Sequence, residues 1–234
     1  MGCRGSSAPV ARCIVPGHNW PMSFPLARWS AVAPLLGLLA VATPADAGAS
    51  NPLIFIQGQH TQLMAMLHQP ASPARNVQVD RSLDTFVDYG EITRRAFGAP
   101  CHPSMPACED LWSTLDAAQQ VEVTGLMKQL VRKTYRKNLL KTLDFAVAYK
   151  GMTPQGGDTR VRTEAQDTTQ PRNPPTRVDY VVQSTANGFV TVDVVTEDSS
   201  MTKNYYTQFR DKMHDPAQGF PRIVARLKEL IAKP

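Results

Sequence analysis

The sequence predicts an α+β fold in which helices pack on a curved, antiparallel, four-stranded sheet and form a cup with an apolar pocket. Apolar residues recur at helical spacing in the first half of the chain. Four segments of alternating, β-branched residues follow, and helical segments end the chain. A twisted sheet covered by helices on one face is concave. The concave side of such a sheet is the natural position for an apolar pocket.

Four helices are predicted before the sheet, over residues 52–69, after the cap residue Asp80, over 89–97, and from Asp116 to about residue 140. Residues 71–76 are predicted to be a linker. In the first helix apolar residues and His60 recur at helical spacing: Leu53, Ile56, His60, Leu63, Met64 and Leu67.

The fourth helix has an apolar stripe that is typical of a core-facing helix, and a basic stripe on its opposite face. Lys128, Arg132 and Arg136 follow one another at intervals of four residues. The simplest interpretation is a solvated face. The alternative is a docking surface for an acidic partner or for lipid head groups.

After the fourth helix the spacing of the apolar residues changes to every second residue. This alternation predicts four strands, over residues 145–149, 159–166, 176–183 and 189–196. Gly156-Gly157-Asp158 and Asn187-Gly188 are typical hairpin turns. Strict alternation places Val190, Val192 and Val194 on one face of the fourth strand. Two helices, near 201–213 and 220–232, complete the domain.

The N-terminus has the pattern of a secretory signal peptide over residues 1–47. Arg28 precedes an apolar run at 31–43, and Ala45-Asp46-Ala47 is a small-x-small cleavage site. The polar stretch before Met22 is atypical, so Met22 is a candidate for the true start. The mature domain is then 48–234, and its two cysteines, Cys101 and Cys108, are expected to form a disulfide in an oxidising compartment. The alternative is half of a metal site with His102.

Motifs for catalysis are missing from the sequence: it has no G-x-S-x-G elbow, no phosphate-binding glycine loop, no C-x-x-C and no H-x-x-x-H. No catalytic residue, metal ligand or cofactor is therefore predicted. Asp179 and Asp193 lie within predicted strands, and either could act as a catalytic base in a cup-shaped domain. The simpler interpretation is that each lies on a polar face or pairs with an arginine.

One run in the second half, from Asp193 to Phe209, is more specific than these patterns. It resembles the MlaC family of toluene-tolerance auxiliary proteins, which typically read D-V-x-x-E-G-V-S-L-V-x-N-Y-R-x-Q-F. Residues 88–98, 130–135, 178–180 and 223–228 also fit that family, in the same order along the chain. The chain departs from the family pattern where Asp198-Ser199 replaces Gly-Val and Phe189 replaces Trp.

The resemblance implies a monomeric periplasmic carrier that holds a phospholipid by its acyl chains, with no nucleic-acid partner. It also implies two protein partners, an MlaD-like subunit of an inner-membrane ABC transporter and an outer-membrane lipoprotein complex. Some relatives are associated with hopanoid lipids, so a hopanoid is the alternative to a phospholipid. Family-matching positions on faces expected to point inward give seven candidate lipid-binding residues: Tyr135, Leu139, Tyr149, Tyr180, Val182, Val192 and Phe209. Two other hypotheses remain, an enzyme acting on an apolar substrate and a fully packed interaction module.

Overall fold

The computed structural model describes residues 51–233, so the predicted signal peptide and the candidate start at Met22 lie outside the described part. The first four helices are α1 Pro52–Leu67, α2 Pro73–Phe86, α3 Tyr89–Ala96 and α4 Ala117–Lys141. The strands are β1 Phe145–Gln155, β2 Asp158–Asp167, β3 Thr176–Thr185, β4 Gly188–Thr196 and β5 Ser199–Ser200. Two helices follow, α5 Met201–Met213 and α6 Gly219–Ala232.

Side-chain caps define where the helices begin. Asp116 and Gln119 form a capping box at the start of α4, and Ser200 caps α5. The second helix begins earlier than predicted, because Ser72 accepts a hydrogen bond from the Arg75 N–H and Pro73 occupies the first turn. The prediction of a linker at 71–76 with a cap at Asp80 was therefore wrong.

The sheet is antiparallel throughout, in the order β1-β2-β3-β4-β5. The predicted α+β fold is confirmed, but the sheet has five strands rather than four. The additional strand, β5, has only two residues and pairs Val195 with Ser200. So short a segment shows no alternating pattern, and the sequence does not reveal it.

A bulge in β4 changes which side chains share a face. Val182 pairs with Thr191 and Val181 with Asp193, so Val192 has no partner in this ladder. The extra residue reverses the alternation. Residues 190 and 194 therefore point to opposite faces, and the prediction that Val190, Val192 and Val194 share one face was wrong.

The basic stripe of α4 pairs with acidic residues of α2. Lys128 Nζ lies 3.2 Å from Asp84 Oδ2, Arg132 forms a charge-assisted hydrogen bond with the same carboxylate, and Arg136 Nε lies 3.4 Å from Asp80 Oδ1. These contacts join α4 to α2, so the stripe is neither a bare solvated face nor a free docking surface.

Most of the core lies among the six helices, where the largest cluster of buried apolar residues includes Leu83, Ile92, Phe97, Met127 and Ile223. Beside it, Cys101 and Cys108 form the predicted disulfide, with 5.8 Å between their Cα atoms. None of the helices between residues 51 and 233 combines the length and apolarity needed to cross a membrane.

Candidate functional site

A second apolar cluster lies between α1 and the sheet. Its fully buried members are Ile56 of α1, Val161 of β2 and Val182 of β3. Phe55 of α1 packs against this cluster and also against the helical core. The helix therefore lies between the two clusters, and the seam between them is the candidate site.

His60 is the polar centre of this seam. Its Nδ1 atom lies 2.8 Å from the hydroxyl oxygen of Tyr149, and its ring packs edge-on against Tyr180 with 5.0 Å between the ring centroids. Burial lowers the pKa of His60 to about 4 because a charged imidazole loses its hydration there. At neutral pH the side chain is therefore uncharged.

Two polar side-chain atoms on α1 and α4 are buried without a hydrogen-bond partner among residues 51–233. They are the hydroxyl oxygen of Tyr135, on α4, and Oε1 of Gln59, on α1. Burial raises the pKa of Tyr135 well above its ordinary value, and the nearby Tyr180 and Asp193 raise it further. Burial is also the main cause of a raised pKa at Tyr180. All of these phenols stay protonated at neutral pH.

The ring-bearing side chains of the seam are only partly covered by their neighbours. Tyr135, Tyr180 and His60 each keep part of their surface accessible, although all three lie deep enough for burial to shift their pKa values. In a close-packed interior, rings at this depth would be covered completely by their neighbours. Surface that stays accessible there indicates a cleft between α1, α4 and the sheet.

Apolar residues remain exposed at the edge formed by the end of α4 and by β1. Leu140 is 47% exposed, and Val147 and Met152 of β1 are 36% and 39% exposed. Val147 and Met152 pair with Ala165 and Val161 of β2, on the same sheet face as Tyr149. The apolar surface of the cleft therefore continues to the edge of the sheet.

Five of the seven predicted lipid-binding residues lie along this cleft. Tyr149, Tyr180 and Val182 belong to the cluster between α1 and the sheet, whereas Tyr135 and Leu139 lie on α4, partly buried beside the helical core. Whether they bind a lipid stays a prediction.

The other two predicted residues lie elsewhere. The bulge turns Val192 away from Val182 and packs it with Val181 and Val195. Phe209 of α5 is 3% exposed and packs in the helical core, with its ring 4.8 Å from that of Phe97. We therefore leave both residues out of the cleft.

Sequence reasoning missed the contribution of α1. Ile56 and His60 belong to the seam, yet His60 was predicted only as part of the helical stripe and was given no role in lipid binding. The available signal was the helical spacing that places His60 on the same stripe as Ile56 and Leu63. A histidine in an apolar stripe of this kind is expected to point inward.

The two strand carboxylates form structural contacts. Asp179 lies 2.7 Å from Arg160 Nη2 and accepts a hydrogen bond from the Thr163 N–H at 3.1 Å. Asp193 accepts hydrogen bonds from the Ser200 hydroxyl at 2.6 Å and from the Thr202 N–H at 3.0 Å. Both carboxylates are thus occupied by neighbouring residues, which fits a structural role.

Two open cavities outside the cleft have charged side chains in their walls. One, of about 340 Å³, lies on the opposite face of the sheet and contains Lys150, Arg160, Arg162 and Arg177 with three acidic residues. The other, of about 310 Å³, lies beside the disulfide, between residues 100–103 and the turn at 155–158. Charged walls of this kind are unfavourable surroundings for an acyl chain.

The family model described as MlaC protein matches residues 57–229. The chain belongs to the MlaC family. A solved structure with a similar fold is that of a phospholipid-binding protein from Ralstonia solanacearum in complex with a phospholipid. The two structures have a TM-score of 0.63 and 20% sequence identity over 78% of this chain and 98% of the other, a likeness that establishes the fold. No match to the chain was found among the curated proteins.

Proposed function

We propose that this MlaC-family protein is a periplasmic carrier that binds the acyl chains of a phospholipid in the cleft between α1, α4 and the sheet. The observation that carries the proposal is the partly accessible, uncharged surface of Tyr135, Tyr180 and His60 in the seam between α1, α4 and the sheet. Membership of the family supports it, as does the phospholipid in the structure from Ralstonia solanacearum.

The physical requirement for such a carrier is shelter for hydrocarbon. Exposing acyl chains to water costs about 0.8 kcal/mol per CH₂ group, so two long chains amount to roughly 20 kcal/mol. Val161, Val182 and Leu139 make the surroundings of the seam apolar, and the histidine beside them is uncharged at neutral pH. A head group can remain in water at the edge near Leu140 and Val147.

Native mass spectrometry of the mature protein, purified from a periplasm without detergent, tests lipid binding. We expect about one phospholipid per protein. Leu139→Trp, which adds bulk beside the cleft, should lower lipid occupancy several-fold. The matched control is Val121→Trp on the same helix, because Val121 is 75% exposed and should tolerate the change. A lipid-free mass with no uptake from added vesicles would contradict the proposal.

The carrier is further proposed to exchange lipid with an MlaD-like subunit of an inner-membrane ABC transporter and with an outer-membrane lipoprotein complex. Family membership supports these partners. Protein loaded with a fluorescent phospholipid should transfer it to vesicles that contain the MlaD-like complex faster than to protein-free vesicles. Equal rates to both kinds of vesicle would leave lipid binding intact and exclude this partner.

A further inference from the structure

We propose that the protein docks on anionic membrane surfaces through the edge formed by the end of α4 and by β1. This basic edge combines exposed lysines with exposed apolar side chains: Lys137, Leu140, Lys141, Val147, Lys150 and Met152. Docking on a membrane goes beyond the proposed carrier function, and it can be measured without any transfer of lipid.

The last turns of α4 supply the first part of the basic edge. Lys137, Leu140 and Lys141 are spaced three and four residues apart, so they lie on one side of the helix. Leu139 and Leu143 pack against the helical core, which leaves the two lysines and Leu140 on the outer side. Leu140 is consequently 47% exposed between two lysines.

The first strand continues the edge after the short 3₁₀ turn Thr142–Asp144. Val147 and Met152 are 36% and 39% exposed, and Lys150 is exposed between them in the strand. Because β1 is the outermost strand, one row of its backbone N–H and C=O groups has no strand partner among residues 51–233. Such polar groups cannot enter hydrocarbon without a partner, so the edge suits the level of the lipid head groups.

The charge of the basic edge is positive and mostly unpaired. Between residues 137 and 153 the chain has three lysines but only one carboxylate, that of Asp144. Lys150 Nζ lies 2.8 Å from Glu164 Oε2, whereas Lys137 and Lys141 form no ion pair within the described part of the chain. The cations earlier on α4 differ, because carboxylates of α2 neutralise them. Anionic lipid head groups are the complementary partner for the remaining charge.

The strand itself argues against a second protein strand as the occupant. A bulge between Tyr149 and Gly151 interrupts the ladder, Lys150 lies at this bulge, and Pro154 has no N–H to donate. Bulges, lysines and prolines are the features by which natural proteins prevent pairing at the edge of a sheet. A membrane surface requires no matched row of hydrogen bonds. Lysines can contact lipid phosphates there while short apolar side chains enter between the head groups.

The position of the basic edge has a consequence that rests on the proposed carrier function. The apolar surface of the cleft continues to Val147 and Met152, which share a sheet face with Tyr149. Head groups would therefore attract the side of the protein at which the cleft ends. An acyl chain that leaves the cleft at a docked edge would be less exposed to water on its way to the bilayer.

Sedimentation of the mature protein with vesicles tests the docking. One set of vesicles contains phosphatidylglycerol mixed with phosphatidylcholine, and the other contains phosphatidylcholine alone. We expect binding to the anionic vesicles to be stronger by roughly tenfold or more, because each basic residue near an anionic surface contributes about fivefold. High salt should remove most of this difference, since it screens the charges.

A charge-matched pair of double variants locates the surface. Lys137→Gln with Lys141→Gln should weaken binding to anionic vesicles by about 20-fold. The control, Arg81→Gln with Arg222→Gln, removes the same charge from exposed positions on α2 and α6 and should weaken binding far less.

The apolar part of the edge is tested in the same way. Leu140→Gln should weaken binding several-fold, because it removes an apolar side chain that would enter between the head groups. Val121→Gln is the control on the same helix: Val121 is 75% exposed and lies outside the basic edge, so this variant should bind as the wild type does.

Equal binding to both kinds of vesicle, or equal weakening by the two double variants, would overturn the inference. Absence of binding to anionic vesicles would also overturn it and would leave an acidic protein surface as the occupant of the basic edge. Native mass spectrometry of the same preparations reports separately on lipid carriage. A protein that holds a phospholipid but does not sediment fails the docking test alone, and one that sediments but never takes up lipid fails the carrier test alone.

Discussion

The Nδ1 atom of His60 lies 2.8 Å from the hydroxyl oxygen of Tyr149, and this contact joins α1 to the first strand of the sheet. The imidazole is buried enough for its pKa to fall to about 4, and its ring also packs against Tyr180. The attachment of α1 to the sheet therefore depends on an uncharged histidine, and the stability of the protein should depend on pH.

We predict that the free energy of unfolding decreases by roughly 3 kcal/mol between pH 7 and pH 4, mainly because of His60. The unfolded chain binds a proton at this residue near pH 6.5, whereas the folded protein binds it only near pH 4, so acid favours unfolding in that window. Urea unfolding at pH 7, 5.5 and 4 measures the change. His60→Gln should show a much smaller decrease. An identical decrease in this variant would show that another group is responsible.

The unpaired Tyr135 hydroxyl gives a prediction for the lipid-free protein. Tyr135→Phe removes a buried group without a partner, so the delipidated variant should be more stable by about 1 kcal/mol. Tyr206→Phe is the matched comparison and should be less stable by about 1 kcal/mol, because it leaves the Glu109 N–H unpaired. Urea unfolding of both variants measures the difference. A loss of stability in both would indicate that the Tyr135 hydroxyl has a partner.

Gly98 and Gly125 should respond to alanine in opposite directions. Gly98 has φ of +80°, and a Cβ atom there would lie 2.1 Å from the Glu109 carbonyl oxygen. Gly98→Ala should therefore destabilise the protein by about 3 kcal/mol or more. Gly125 lies within α4 with no atom within 4 Å of an added Cβ, so Gly125→Ala should stabilise it by about 0.5 to 1 kcal/mol. Thermal unfolding of the two variants would contradict this account if both shifted the midpoint in the same direction.

Arg95 connects α3 to the start of β2 through two carboxylates. Its Nε atom lies 2.8 Å from Glu91 and its Nη1 atom 2.7 Å from Asp158, and the Arg95 and Asp158 side chains are only 13% and 11% exposed. Arg95→Gln leaves the poorly hydrated Asp158 carboxylate unpaired and Glu91 paired with Arg94 alone, and it should cost about 2 kcal/mol. The control is Arg226→Gln, whose pair with Glu229 is exposed, and it should lower the stability far less. Equal effects on the urea midpoint would contradict this distinction.

The elements that could be predicted from the sequence are those with a local signal. The α5 helix was predicted at its observed bounds, and the long helix α4 to within one residue, because Asp116 caps a continuous apolar stripe. The antiparallel hairpins followed from their glycine-containing turns. The start of α2 was missed because Asp80 was chosen as the cap in place of Ser72, which precedes a proline.

The candidate site was harder to predict because it depends on contacts between distant segments. No residue type marks the bulge at Val192, so alternation placed that side chain on the wrong face. Phe209 matches the family pattern but lies in the helical core, since a family match does not distinguish core packing from lipid contact. The role of His60 depends on Tyr149, 89 residues away, and only the folded structure brings the two together.

The central claim, that acyl chains lie between α1, α4 and the sheet, is tested most directly by photo-crosslinking. The protein is loaded with a phosphatidylglycerol that carries a diazirine near the middle of one acyl chain, irradiated, digested and sequenced by mass spectrometry. We predict label on three kinds of peptide: those containing His60, those containing Tyr135 or Leu139, and those containing Tyr149 or Tyr180. The peptide containing Phe209 should carry no label. Label confined to α5 and α6, or to the charged face of the sheet around Arg162, would contradict the account.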